Sequence, residues 1–156
     1  MNNIAIGIRV KTGCVVYSII KEKDDENLEI SIVDKVNVPV SMEIPEQLKF
    51  LRSTFLDIIY ENKVNRGCIR VAESTAQKVS RDRISIEAVL QELIASSTIE
   101  HYYIGRISNI SSKLGIDRNQ FKPIIESNTC KFFEDWNTFN KEQKESLLAS
   151  LSALNL

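Results

Sequence analysis

Three apolar, β-branched runs fall within the first 33 residues, separated by gaps of turn length, and they restrict the fold more than anything that follows. Ile4-Ala-Ile-Gly-Ile8 and Cys14-Val-Val-Tyr-Ser-Ile-Ile20 are joined by Arg9-Val-Lys-Thr-Gly13, a hairpin-length link with glycine at its exit. After the acidic residues 21–27, Leu28-Glu-Ile-Ser-Ile-Val33 alternates with period two, as a half-buried antiparallel strand does. Three consecutive strands of this kind form a meander.

The period then changes. In residues 45–62, Leu48, Leu51, Phe55, Ile58 and Ile59 recur at helical spacing, with Pro45 in the first turn. Cys68-Ile-Arg-Val-Ala72 reads as a strand, and Ile86, Val89, Leu90, Leu93 and Ile94 mark a second helix. Tyr102-Tyr-Ile-Gly-Arg-Ile107 is strand-like, and Asn109-Ile-Ser-Ser-Lys-Leu-Gly115 is a short helical piece with glycine in the C-terminal place. Residues 123–135 give no clear period. Residues 140–154 form a helix, with Asn140 as cap, Gln143 completing a capping box, and Leu147, Leu148, Leu151 and Leu154 as its buried stripe. The order is β-β-β-α-β-α-β-α-α, which predicts an α/β chain: a mixed five-stranded sheet, three strands antiparallel and the rest parallel, flanked by helices.

At 156 residues the chain fits one domain, residues 1–156. Net charge is −1, so no global field draws it to a polyanion, but residues 63–122 hold ten basic against six acidic side chains. Any polyanion-binding surface is therefore expected in the middle third. Lys63, Arg66, Arg70, Lys78, Arg81 and Arg83 are the candidates for phosphate contact with DNA or RNA, although no aromatic residues for base stacking accompany them. Cys14, Cys68 and Cys130 make neither a disulfide framework nor a metal knuckle. No bilayer-length apolar stretch and no basic leader occur, so the expectation is a cytoplasmic protein without a membrane partner. The Lys-, Asn- and Ile-rich usage suggests a bacterial, AT-rich source. The single histidine, His101, excludes His-rich metal sites, and no phosphate-cradling glycine loop or nucleophile elbow is present. Trp136, near Phe132, Phe133 and Phe139, reads as core.

Several local sequences in this order bear a family likeness. Ile6-Gly-Ile-Arg9 with Gly13 resembles the first strand and turn of RuvC-type Holliday-junction resolvases and their YqgF relatives, which are RNase H-like. Ile69-Arg-Val-Ala-Glu73 resembles their fourth strand, which ends in a catalytic glutamate, and Glu142-Gln-Lys-Glu145-Ser-Leu-Leu-Ala resembles their final helix. The resemblance implies an RNase H-like fold and candidate metal ligands at Glu73, Glu142 and Glu145. Nucleases of that kind use two divalent ions about 4 Å apart, magnesium or manganese, held by carboxylates.

The departure is at Arg9, where the resemblance implies an aspartate. A guanidinium brings permanent positive charge into the site and pairs well with carboxylates. Arg9 is therefore expected to substitute for the lost ligand, within reach of Glu73 and with Glu142 or Glu145 nearby. The leading expectation is a degenerate, non-catalytic module that needs no cofactor and binds nucleic acid, a protein partner, or both. The alternatives are a metal-dependent nuclease using Glu73, Glu142 and Glu145, and a structural subunit of a larger assembly; its helix faces are also compatible with a homodimer.

Overall fold

The computed structural model describes residues 2–24 and 26–156; Asp25, within the expected acidic turn, lies outside them. Five strands form one mixed sheet. They are β1 (Ile4–Lys11), β2 (Cys14–Glu22), β3 (Leu28–Asn37), β4 (Arg66–Arg70) and β5 (His101–Gly105), in the spatial order β3-β2-β1-β4-β5. The β1–β2 and β2–β3 pairs are antiparallel, whereas β1–β4 and β4–β5 are parallel, as the sequence pattern predicts. The helices are α1 (Ile44–Glu61), α2 (Arg81–Ser96), α3 (Ile107–Leu114), α4 (Arg118–Glu126) and α5 (Lys141–Leu154). A 3₁₀ turn spans Trp136–Thr138.

Two details depart from the sequence reading. The first hairpin is tighter: Lys11 pairs with Cys14, so only Thr12 and Gly13 turn, and Arg9 and Val10 belong to the strand. Gly13 has φ +83°, a left-handed value that glycine adopts without a Cβ clash. The second departure is α4, which occupies part of the segment without a clear period and carries Pro123 inside it. Asp117 caps this helix and Gln120 completes the box, a start signal the period alone did not show.

Each face of the sheet has its own core. Ile6, Ile8, Val10, Tyr17, Ile19 and Ile69 meet Leu51, Phe55, Ile59, Leu90 and Leu93 of α1 and α2. On the other face Ala5, Ile20 and Cys68 meet α3, α4 and α5, with Phe133 stacked on the fully buried Trp136. Burial on both faces is why β1 reads as an almost unbroken apolar run.

Helix α5 lies across the sheet and, beyond its first turn, is buried almost all round rather than along one stripe. Its close approach depends on Gly7, where a Cβ would stand 2.0 Å from the Ser146 carbonyl oxygen and 2.5 Å from the Ser150 amide. The buried serines return their hydroxyls to the helix's own carbonyls, Ser150 to Leu147 at 2.8 Å and Ser152 to Ala149 at 2.6 Å. So satisfied, they pack as small residues. Asn140 and Gln143 form the expected capping box, and Gly115 ends α3 with φ +70°.

Candidate functional site

The parallel register sets Arg9 of β1 directly beside Arg70 of β4, near the carboxyl ends of both strands. Each arginine follows an isoleucine and precedes a valine whose side chains belong to the α1/α2 core. Strand alternation therefore turns both guanidinium groups to the other face, under α5. Two cations on adjacent strands need an anion between them, and α5 delivers it: Glu145 is 4% exposed. Arg9 Nε stands 2.6 Å from Glu145 Oε2, and Arg70 Nη2 stands 3.9 Å from Oε1. Arg9 also donates to the Arg70 carbonyl at 3.2 Å. Arg70 donates to the Val71 carbonyl, and its guanidinium lies 5.8 Å from the centre of the Phe121 ring.

Beyond β4 the chain reaches Glu73, whose Oε1 is 3.5 Å from Arg70 Nη1 and accepts the Ile107 amide at 2.7 Å. That contact puts a carboxylate at the N-terminus of α3, where the helix dipole favours negative charge. Glu142, one turn before Glu145, instead faces Lys11 at 3.8 Å. On the far side Glu87 of α2 accepts from the Ala72 amide at 3.2 Å and from Arg83 Nε at 3.3 Å.

Burial is the largest influence on Arg9, pulling its pKa below the usual guanidinium range to about 10; Glu145 opposes the shift, and the charges of Arg70 and Arg83 add to it. It remains a cation at neutral pH.

The salt bridge between a first-strand arginine and a site carboxylate is present, but its partner differs from the one expected. Arg9 pairs with Glu145, while Glu73 is held by Arg70, a residue the sequence places among the nucleic-acid candidates. Arg70 is 3% exposed and forms part of the floor of the site. The signal was available in the matching contexts Ile8-Arg9-Val10 and Ile69-Arg70-Val71. A lone charge between two core-facing residues on a central strand must meet a buried partner.

The remaining basic candidates do not form one patch. Arg66 begins β4 at the end of the sheet away from the site and donates to the Leu156 carbonyl, with Lys63 just before it. Lys78 is exposed on the segment leading into α2, Arg81 is exposed in the first turn of that helix, and Arg83 reaches the site.

Arg9, Arg70, Glu73 and Glu145 open into a cleft of about 490 Å³. Arg83, Lys122, Glu126 and Lys141 add charge to its walls, while Ala72, Ala76, Ile107 and Ile125 supply apolar surface. Lys122, Glu126 and Lys141 come from helices distant in sequence and had not been connected to the site.

The pair of divalent ions implied by the resemblance does not fit this arrangement. The carboxylates of Glu73 and Glu145 face guanidinium groups, and Glu142 faces Lys11. Among the described residues no three His, Cys, Asp or Glu side chains converge to hold a metal. The cleft instead offers hydrogen-bond donors and excess positive charge, the chemistry of anion binding.

No protein-family model matches the chain, and no curated protein matches it in sequence. Among solved structures it is similar to Thermus thermophilus RuvC, with a TM-score of 0.69 at 7% identity over 96% of this chain and 92% of that one. The T. thermophilus RuvC complex with Holliday junction substrate gives the same TM-score and identity, over 96% of this chain and 91% of that one. The yeast mitochondrial Holliday junction resolvase Ydc2 aligns with a TM-score of 0.61 at 12% identity, over 97% of this chain and 77% of that one. The chain thus has the RNase H-like fold of RuvC-type resolvases along nearly its whole length. Among the described residues no helix is long and apolar enough to cross a membrane.

Proposed function

We propose that this chain is a pseudo-nuclease: a RuvC-fold module that binds nucleic acid without cutting it. The observation that carries this reading is the ion-pair network in the cleft, in which Arg9 and Arg70 neutralise Glu145 and Arg70 reaches Glu73. Carboxylates engaged in this way are poor ligands for hard divalent ions, because an ion would have to displace or repel a buried guanidinium. Lys122 and Lys141, exposed on the walls of the same cleft and without ion pairs among the described residues, favour phosphate. No cofactor is needed for such a role. The likeness to a structure described as a complex with Holliday junction substrate makes branched DNA the first substrate to try.

The test combines cleavage with binding. Labelled linear, flapped and four-way DNA and an RNA–DNA hybrid are incubated with manganese or magnesium beside the Glu73→Ala variant. The expected outcome is binding without cleavage, with log K falling against log salt by about 0.9 for each phosphate neutralised. Cleavage that chelators stop and Glu73→Ala abolishes would establish the metal-dependent nuclease instead.

A further inference from the structure

The cleft holds donors that its own carboxylates leave unused. Arg70 is 97% buried, yet its Nε has no hydrogen-bond partner, and Nη2 of Arg83 is buried and equally unpartnered; Glu145 Oε2, an acceptor of the site also without a hydrogen bond, already lies 2.6 Å from Arg9 Nε. Leaving such groups dry and unpaired is costly, and since both residues line the cleft, an acceptor that settles against its floor would satisfy them. At the mouth Lys122 and Lys141 are exposed, and neither forms an ion pair among the described residues. Glu126 lies beside them and Glu87 pairs with Arg83, but the lining remains cationic, five basic side chains against three acidic.

The shape adds a second constraint. A cleft of about 490 Å³ with an apolar wall at Ile107 and Ile125 has the size of a small-ligand site, enough for one phosphate and its nucleoside. A phosphodiester in a continuous strand has two free oxygens and one charge. A phosphomonoester has three oxygens and a charge of roughly −1.5 to −2 at neutral pH, which suits several converging donors. Its single attached nucleoside fits against the apolar wall.

We infer that the floor formed by Arg70 and Arg83 recognises a phosphomonoester, carried by the end of a nucleic-acid strand or by a free mononucleotide. This rests on the reading of the cleft as a non-catalytic nucleic-acid site and names the group that site selects.

Anisotropy with the full chain and an internally labelled single strand, its ends carrying phosphate or hydroxyl, tests the inference. Calorimetry with a nucleoside monophosphate and with inorganic phosphate runs alongside. The phosphorylated strand is expected to bind about tenfold more tightly, the scale of one charge-assisted contact. Arg83→Gln and the rim variant Lys122→Ala should each shrink that preference, and Lys49→Ala, on α1 across the sheet, should leave it intact. Because Lys122 is exposed, its variant keeps the test valid if Arg83→Gln fails to fold. Mononucleotide binding that weakens in Lys122→Ala, with no binding to strands, supports the pocket and overturns the nucleic-acid reading. Equal affinity for both kinds of strand end, with no mononucleotide binding, overturns the phosphomonoester pocket and leaves nucleic-acid binding standing. Binding of none of these overturns both.

Discussion

On one face of the sheet Ile6, Ile8, Ile19 and Ile69 meet Leu51, Phe55 and Leu90 in a cluster with no charged member, and Tyr17 packs edge-on against Phe55. On the other face the same strands present Arg9 and Arg70, and α5 answers with Glu145 among buried serines and alanines. The first face gains its stability chiefly from apolar area, at roughly 25 cal/mol per Å², with the buried Glu87 of α2 held by Arg83 and the Ala72 amide. The second keeps charges that apolar residues of similar volume would often replace with no loss of stability. The α1/α2 face is thus secured mainly by apolar packing, while the α5 face keeps a buried ion-pair network whose cost in stability the proposed function would account for.

The largest expected effects compare the two faces directly. Phe55→Ala empties a fully buried site and should cost about 3–5 kcal/mol in urea unfolding. Glu145→Ala should cost nearly as much, about 3 kcal/mol or more, by stranding Arg9 and Arg70 without their shared anion. The triple variant Arg9→Met, Arg70→Met, Glu145→Leu should regain most of that loss while abolishing nucleic-acid binding. A triple variant as unstable as Glu145→Ala would show that the network is there for the fold.

Gly7→Ala follows at about 2–3 kcal/mol, because its methyl would meet backbone atoms of α5 rather than a movable side chain. A Tm close to that of the parent would mean that α5 moves away from the sheet at little cost.

The smallest effect concerns pH and again belongs to the α5 face. Burial pushes the Cys68 thiol from 9.0 up to about 11, with Tyr103 and Ser152 partly opposing. Between those values the unfolded chain has lost a proton that the folded chain still holds. The group's contribution is therefore complete below pH 9 and lost as pH rises towards 11. Tyr103, raised chiefly by burial, adds to the loss once pH passes 10. Arg9 has the opposite sign: its lowered pKa of about 10 means that the folded chain gives up its proton first, so its contribution grows above pH 10. Stability should decline by about 1 kcal/mol from pH 8.5 to 10, and Cys68→Ala should flatten that slope. In native thiol labelling Cys130, partly exposed, should react while Cys68 stays inert.

The order of elements along the chain, the capping box at Asn140 and the glycine that ends α3 were legible in the sequence, because each depends on neighbours within a few residues; the antiparallel-then-parallel pairing followed from that order of elements. Trp136 in the core was legible for the same reason. The segment around α4 was less so, since Pro123 and the scattered polar residues there mask a helix whose start is set by Asp117.

What the sequence by itself determined is a mixed sheet with several acids and with two arginines near the carboxyl ends of β1 and β4. Only the tertiary structure decided which acid meets which arginine. Arg9 and Arg70 are 61 residues apart and become neighbours through the β1–β4 register. Glu145 reaches both because Gly7 lets α5 settle close against β1. Lys122 and Lys141 join the same cleft from separate helices, while Lys63 and Arg66, close to Arg70 in sequence, lie towards the opposite end of β4. Backbone periodicity is a local property and can be read along the chain. The pairing of charges is a long-range one, fixed by strand register and by how closely a helix can dock.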